Sequence, residues 1–157
     1  MKRVAGILTI IMLTFFLSPV AMHAQEKESV MNMLQTKEFV FVAESVSPMA
    51  GRTRTLTSEY DLRVTSDTVT ADLPYFGRAY STTYNMSGGG IEFVSTDFDY
   101  FVTRKKKDRY EINITPKDAR DVRELTLTVF ENGRADLRVT SDSRQTIGFS
   151  GYVKKTS

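Results

Sequence analysis

Cysteine is absent from the 157-residue chain, and its one histidine is His23. Without thiols there is no disulfide framework, no thiol redox chemistry and no cysteine to carry a lipid anchor. Zinc sites built from Cys and His go with them. Whether His23 counts depends on what the first residues are. Lys2 and Arg3 form a short positive start, residues 4–17 are apolar apart from Thr9 and Thr14, and Ser18-Pro19 breaks any helix. Ala24 then precedes the polar run Gln25-Glu26-Lys27-Glu28. That order reads as a secretory signal peptide, residues 1–24, cut between Ala24 and Gln25, although Met22 is large for its place two before the cut. An uncleaved anchor is the competing reading, because residues 4–22 approach the roughly 20 apolar residues that span a bilayer. Pro19 argues for cleavage, which leaves no transmembrane segment. The expected mature domain then has neither His nor Cys. Ser–His and Cys–His nucleophilic catalysis are excluded, and no catalytic residue, metal site or cofactor is assigned. The expectation is a protein that is not an enzyme, in the periplasm or secreted.

Charge of one sign is missing as well. Of the 21 Lys and Arg, two lie in the signal, so 19 remain against 19 Asp and Glu. A neutral domain has no field to recruit nucleic acid or an anionic surface. The 133 residues left after position 24 make one ordinary domain, residues 25–157, large enough to bury about two-thirds of its unfolded surface without staples.

What is present is alternation. Val30, Met33 and Leu34 predict one short helix over 26–37, too short to stand alone in water and so packed on a sheet. From Phe39 onward the period is two. Tyr60, Leu62 and Val64 alternate with Asp61 and Arg63, and Val69, Ala71 and Leu73 with Thr70 and Asp72. Phe98, Tyr100 and Val102 follow, then Tyr110, Ile112 and Ile114, then Leu125, Leu127 and Val129, then Ile147 and Phe149. One apolar and one polar face mark antiparallel strands around a single core. Asn132-Gly133 predicts a two-residue type I′ hairpin turn. Further turns are expected at Ser66-Asp67, Lys107-Asp108, Asp142-Ser143 and residues 48–51, and residues 116–123 read as a loop or a single helical turn. Residues 39–42 are apolar on both faces, which calls for cover on both sides, with the helix as the candidate cover. Ile91 and Phe93 have the opposite parity to Phe98 and Tyr100, so a bulge or break is expected near Ser95-Thr96. The fold class is all-β with one short N-terminal helix: about eight or nine antiparallel strands in a lipocalin-like barrel or a β-sandwich.

Candidate recognition residues cluster in one segment. Residues 74–90 hold Tyr75, Phe76, Arg78, Tyr80 and Tyr84 before Ser87-Gly88-Gly89-Gly90. Aromatics with an arginine suit a binding surface or stacking on sugar rings; the alternative is a loop folded down to plug an end of the core. The glycines precede a strand and lack a following Gly-Lys-Ser/Thr, so they are no phosphate loop. Glu92, Asp97 and Asp99 are the best carboxylate group for acid–base work, and solvated strand faces explain them equally. Arg104-Lys105-Lys106-Lys107 with Arg109 reads as a solubilising hairpin tip. Thr68, in Asp67-Thr68-Val69, has the form of an O-glycosylation acceptor, and a turn explains it too. The echo of residues 61–67 in 136–142 is shared strand-and-turn chemistry rather than a repeat.

Leu73-Pro74-Tyr75-Phe76-Gly77-Arg78-Ala79-Tyr80, Gly89-Gly90-Ile91-Glu92-Phe93, Phe130-Glu131-Asn132-Gly133, Leu137-Arg138-Val139-Thr140-Ser141 and Arg144-Gln145 together resemble domain-of-unknown-function family 4251. The resemblance implies a small exported protein of a Gram-negative bacterium and assigns no residue a role. Three functions are open: a non-enzymatic binding module for a small molecule or glycan, a protein–protein or scaffold component of the envelope, and a carboxylate-based hydrolase. A cavity in the core favours the first, a filled core with an exposed aromatic patch the second, and two inward carboxylates across a cleft the third.

Overall fold

The computed structural model describes residues 30–77, 89–106 and 108–156. The expected signal segment and cleavage site, residues 26–29 of the expected helix, Arg78, Tyr80, Tyr84 and Lys107 lie outside them. Helix α1 covers residues 30–36 and is followed by nine strands: β1 (Phe39–Pro48), β2 (Arg54–Val64), β3 (Val69–Leu73), β4 (Ile91–Ser95), β5 (Phe98–Lys105), β6 (Arg109–Pro116), β7 (Val122–Phe130), β8 (Arg134–Ser141) and β9 (Ile147–Lys155). They form one sheet in the order β4-β3-β2-β1-β9-β8-β7-β6-β5, antiparallel at every step.

That order decides the architecture. Nine alternating strands put β4 and β5, at opposite edges of the sheet, in the same direction. Only Thr96 and Asp97 separate them in sequence. They are two halves of one broken line: the first pairs with β3, the second with β6. The sheet therefore curls until its two edges meet end to end in one stretch of chain, giving a nearly closed barrel rather than a sandwich. The break is where the parity change between Phe93 and Phe98 places it.

Alternation makes the core. Tyr110, Ile112 and Ile114 of β6, Leu125, Leu127 and Val129 of β7, and Ala135, Leu137 and Val139 of β8 all point inward, as do Phe39, Phe41 and Phe149. They belong to one apolar cluster with Val30 and Leu34 of α1. The interior is thus filled by side chains where a hollow calyx would hold a ligand. Val40 and Val42 face away from the core cluster, between Arg63 and Lys154 and between Asp61 and Tyr152 in register, yet Val40 is itself buried, as the expected cover on both sides requires. The helix is not their cover, because it packs on the inner side of β5. Tyr100 Oη donates to the Leu34 carbonyl at 2.7 Å, and the Lys37 ammonium lies 5.1 Å from the Tyr100 ring and 5.5 Å from that of Phe98. Lys37 reaches this position because it ends the helix with φ 57°, and Glu38 N–H then bonds back to the Met33 carbonyl at 3.1 Å. This is a left-handed helix cap on a residue other than glycine.

The β7–β8 connection corrects the expected turn. Only Gly133 has positive φ, at 76°, and its N–H bonds the Phe130 carbonyl at 2.9 Å. Glu131, Asn132 and Gly133 form a three-residue loop, a type I turn closed by a left-handed glycine, in place of the two-residue type I′ turn. The Asn132 side chain accepts from Arg134 N at 3.1 Å, a local bond that competes with the second left-handed residue a type I′ turn needs.

One glycine is fixed by its neighbours. Glu44 is an extra residue in β1, since the register to β9 shifts between Ala43 and Ser45. The bulge pushes the β1 main chain against Gly151, where an added Cβ would overlap the Val42 carbonyl oxygen. Gly151→Ala is expected to destabilise the domain at the upper end of the roughly 1–3 kcal/mol that overpacking costs. Urea unfolding followed by circular dichroism would measure it. Gly148→Ala, whose nearest atom is 3.6 Å away, is the control and should change little.

Candidate functional site

Which way the main chain of β4 points follows from one turn. Thr65 N–H bonds the Thr68 carbonyl at 2.9 Å, so this pair is hydrogen-bonded. Along an antiparallel ladder bonded pairs recur every second residue. Arg63–Thr70 and Asp61–Asp72 are then the bonded pairs of β2 and β3. That leaves Val69, Ala71 and Leu73 to bond β4, through their partners Ser95, Phe93 and Ile91. The main-chain groups of Gly90, Glu92, Val94 and Thr96 therefore face the other way, into the seam beside the barrel's broken strand.

Both ends of that edge are capped by charged side chains. At one end Arg144 Nη1 donates to the Gly90 carbonyl at 2.8 Å. Arg144 is held by Asp121, with Nε 2.9 Å from Oδ2, and both side chains are only 14% exposed. Ser143 Oγ donates to the other Asp121 oxygen. The Arg144 guanidinium also lies 5.1 Å from the Tyr75 ring, whose hydroxyl donates to the Gln145 carbonyl at 3.1 Å. At the other end Asp118 accepts from Ser95 Oγ, from Thr96 N at 3.0 Å and from Asp97 N at 3.4 Å. Lys117 N–H returns a bond to the Asp97 carbonyl at 2.8 Å. These bonds, the Ser95 hydroxyl first, hold the Asp118 carboxyl below the ordinary aspartate range.

Between the caps, Glu92 and Val94 keep their seam-facing N–H and C=O groups. Among the described residues nothing bonds them. A cleft of about 320 Å³ lies there, bounded by residues 90–94, residues 118–122 and Arg144. Its inner wall is apolar, from Ile91, Phe93, Ala119 and Val122, and Arg120 stands exposed on the rim. Val94 is 64% exposed.

The sequence-derived candidates divide. Tyr75 lies half-buried against the Arg144 cap, and Gly77 has no side chain because a Cβ would collide with the Tyr75 ring. Phe76 is 44% exposed, with the Arg54 guanidinium 5.1 Å away. Arg78, Tyr80 and Tyr84 lie outside the described residues. Thr68 is in the β2–β3 turn, its hydroxyl 3.3 Å from Asp67 Oδ1. Asp97 and Asp99 share the Lys117 ammonium, at 3.8 and 2.8 Å, and Glu92 stands opposite Asp72 on the outer face. The hydrogen bond that Lys117 donates to Asp99 pushes the pKa of its ammonium up. Within the basic hairpin tip, Arg104 pairs with Asp108 at 3.1 Å and Lys105 with Glu111 at 3.0 Å. Among the described residues no three acidic or histidine side chains gather as a metal site, and no helix is long and apolar enough to cross a membrane.

Asp118, Arg120, Asp121 and Arg144 were not among the predicted site residues. Their segments read as loops, and the Asp118–Ser95 and Arg144–Asp121 contacts each span 23 positions, so no local spacing links them.

The model of a family described as a domain of unknown function, DUF4251, matches residues 21–153. The chain belongs to this family. A DUF4251 family protein from Bacteroides eggerthii DSM 20697, known from a crystal structure, is similar in fold: TM-score 0.61, 18% identity, covering 86% of this chain and 91% of that one. No curated protein matches. In this DUF4251 chain the cleft beside β4 is the candidate site.

Two outcomes follow. Asp118 has a lowered folded pKa, so the stability it adds is present above its unfolded pKa, near 4, and is lost as pH falls through the folded value. Wild-type stability in urea should therefore drop more steeply than that of Asp118→Asn as the pH is lowered below about 4. Asp121→Ala, which removes the carboxylate that bonds the largely buried Arg144 guanidinium, should cost about 1.5–3 kcal/mol by chemical denaturation.

Proposed function

We propose that this chain is an exported, non-enzymatic binding module of a Gram-negative envelope, and that it binds at the cleft beside β4. The observation that carries the reading is the unpaired middle of the β4 edge, with Glu92 and Val94 open between the Arg144 and Asp118 caps. Sheet edges left open are exceptional, because they invite pairing with other chains. The volume sits at the lower end of ordinary ligand sites. Export is supported by the signal-like residues 1–24, and the absence of enzymatic action by a mature sequence without His or Cys.

A filled core favours this edge over the barrel interior as the place of binding. Tyr75 supports the site indirectly, by packing on Arg144, and Phe76 offers a neighbouring exposed ring. The reading is tested by native mass spectrometry of protein recovered from its own envelope. Wild type is expected to carry a bound species that Ala119→Trp, which fills the cleft, has lost. Bare wild-type protein, or a variant that keeps the species, would overturn the reading.

A further inference from the structure

Resting on that reading, we infer that the occupant is an extended segment of a partner polypeptide, which adds to β4 as a short extra strand and places a carboxylate on Arg120. The main-chain geometry singles out a polypeptide. Glu92 and Val94 offer two N–H and two C=O groups to the seam, two residues apart and so about 6.8 Å from one to the next. Another polypeptide main chain repeats donors and acceptors at that interval, and strand addition at an exposed edge is a recurring mode of peptide recognition. The neighbouring positions confirm that this side of β4 bonds as a ladder edge. Gly90 C=O and Thr96 N–H, next in the same series, are satisfied by Arg144 and Asp118. The caps also set the length: only the stretch between them is open, so the added strand pairs with about three residues and must leave the slot past each cap.

The side chains add selectivity. A strand in the slot turns alternate residues inward, towards Phe93, Ala119 and Val122, which calls for apolar residues at those places. Arg120 makes no ion pair among the described residues, unlike Arg144 beside it. Its free guanidinium on the rim matches a carboxylate from the outward-facing set.

Fluorescence anisotropy with labelled hexapeptides tests this. The probes are acetylated, amidated Thr-Val-Glu-Val-Thr-Val, the same peptide with lysine in place of glutamate, and the glutamate peptide N-methylated at alternate amides, in both registers. The glutamate peptide is expected to bind saturably, and the other probes at least tenfold more weakly. Arg120→Ala should erase the preference for glutamate over lysine. Val94→Pro removes one seam-facing N–H at an edge position where proline is tolerated, and should weaken binding at least tenfold with an unchanged circular dichroism spectrum. A second measurement needs no variant: amide exchange at Glu92 and Val94 should be fast in the free protein and slow at least tenfold with the glutamate peptide. Equal binding of the N-methylated peptides, or protected Glu92 and Val94 amides in the free monomer, would overturn strand addition. If no peptide binds while Ala119→Trp still strips a species from the recovered protein, the cleft reading stands and the peptide inference falls. A concentration-dependent dimer that Val94→Pro returns to monomer would make the occupant a second copy, which also overturns it.

Discussion

The bonds that Asp118 makes across the break at Ser95, Thr96 and Asp97 tie the two edges of the nearly closed barrel to the loop after β6. Most barrels close by pairing their first and last strands. This one closes by letting one stretch of chain serve both edges, β4 for β3 and β5 for β6. Such a stretch must change partners midway, and the change strands main-chain N–H groups that neither neighbour reaches. Thr96 and Asp97 are exposed, so their N–H groups would otherwise turn to water. A carboxylate from the loop after β6 meets Thr96 and Asp97 together, and the Lys117–Asp97 main-chain bond fixes that loop in place.

The seam follows from the same constraint. Once β5 has left with β6, the side of β4 away from β3 faces the loop of residues 117–121, which follows no ladder course. Charged side chains take the place of main chain there, Arg144 at one end and Asp118 at the other. Arg144 is itself set by Asp121 and stacked on Tyr75, so the aromatic segment after β3, the β6–β7 loop and the β8–β9 loop converge on one guanidinium. These caps are anchored in residues far apart in sequence, and they stop two residues short of each other.

How much of this the sequence discloses depends on the range of the interactions. The period of two placed the strands and their inward faces, since alternation is a local property. The opposed parity of Phe93 and Phe98 located the break, because a phase error must be repaired where it occurs. The β7–β8 turn was misread: Asn132-Gly133 favours a two-residue turn, but the Asn132 side chain spends its oxygen on Arg134 N and only Gly133 turns left-handed. The interior is filled where a lipocalin-like barrel allows a cavity, and alternation alone does not distinguish the two. The site was least legible. Tyr75 and Phe76 were singled out by residue type, yet Asp118, Asp121 and Arg144 owe their roles to contacts across the closed barrel, which no sequence window spans.

The two strand edges beside the break are treated differently, and the difference bears on function. The β5 edge runs into Arg104, Lys105 and Lys106, and its inner side is covered by α1 through Leu34 and Lys37. Basic residues on an edge repel a second chain. The mid-stretch of the β4 edge has neither guard: Val94 is 64% exposed, the neighbouring wall is apolar, and the arginine on the rim is unpaired among the described residues. Glu92 and Val94 are exposed, so water meets the four main-chain groups that closing this slot would cap. Arg144 and Asp118 show that the fold has the means to do so at the adjoining positions. The open middle of the β4 edge, beside a guarded β5 edge, is the ground on which we propose recognition by strand addition.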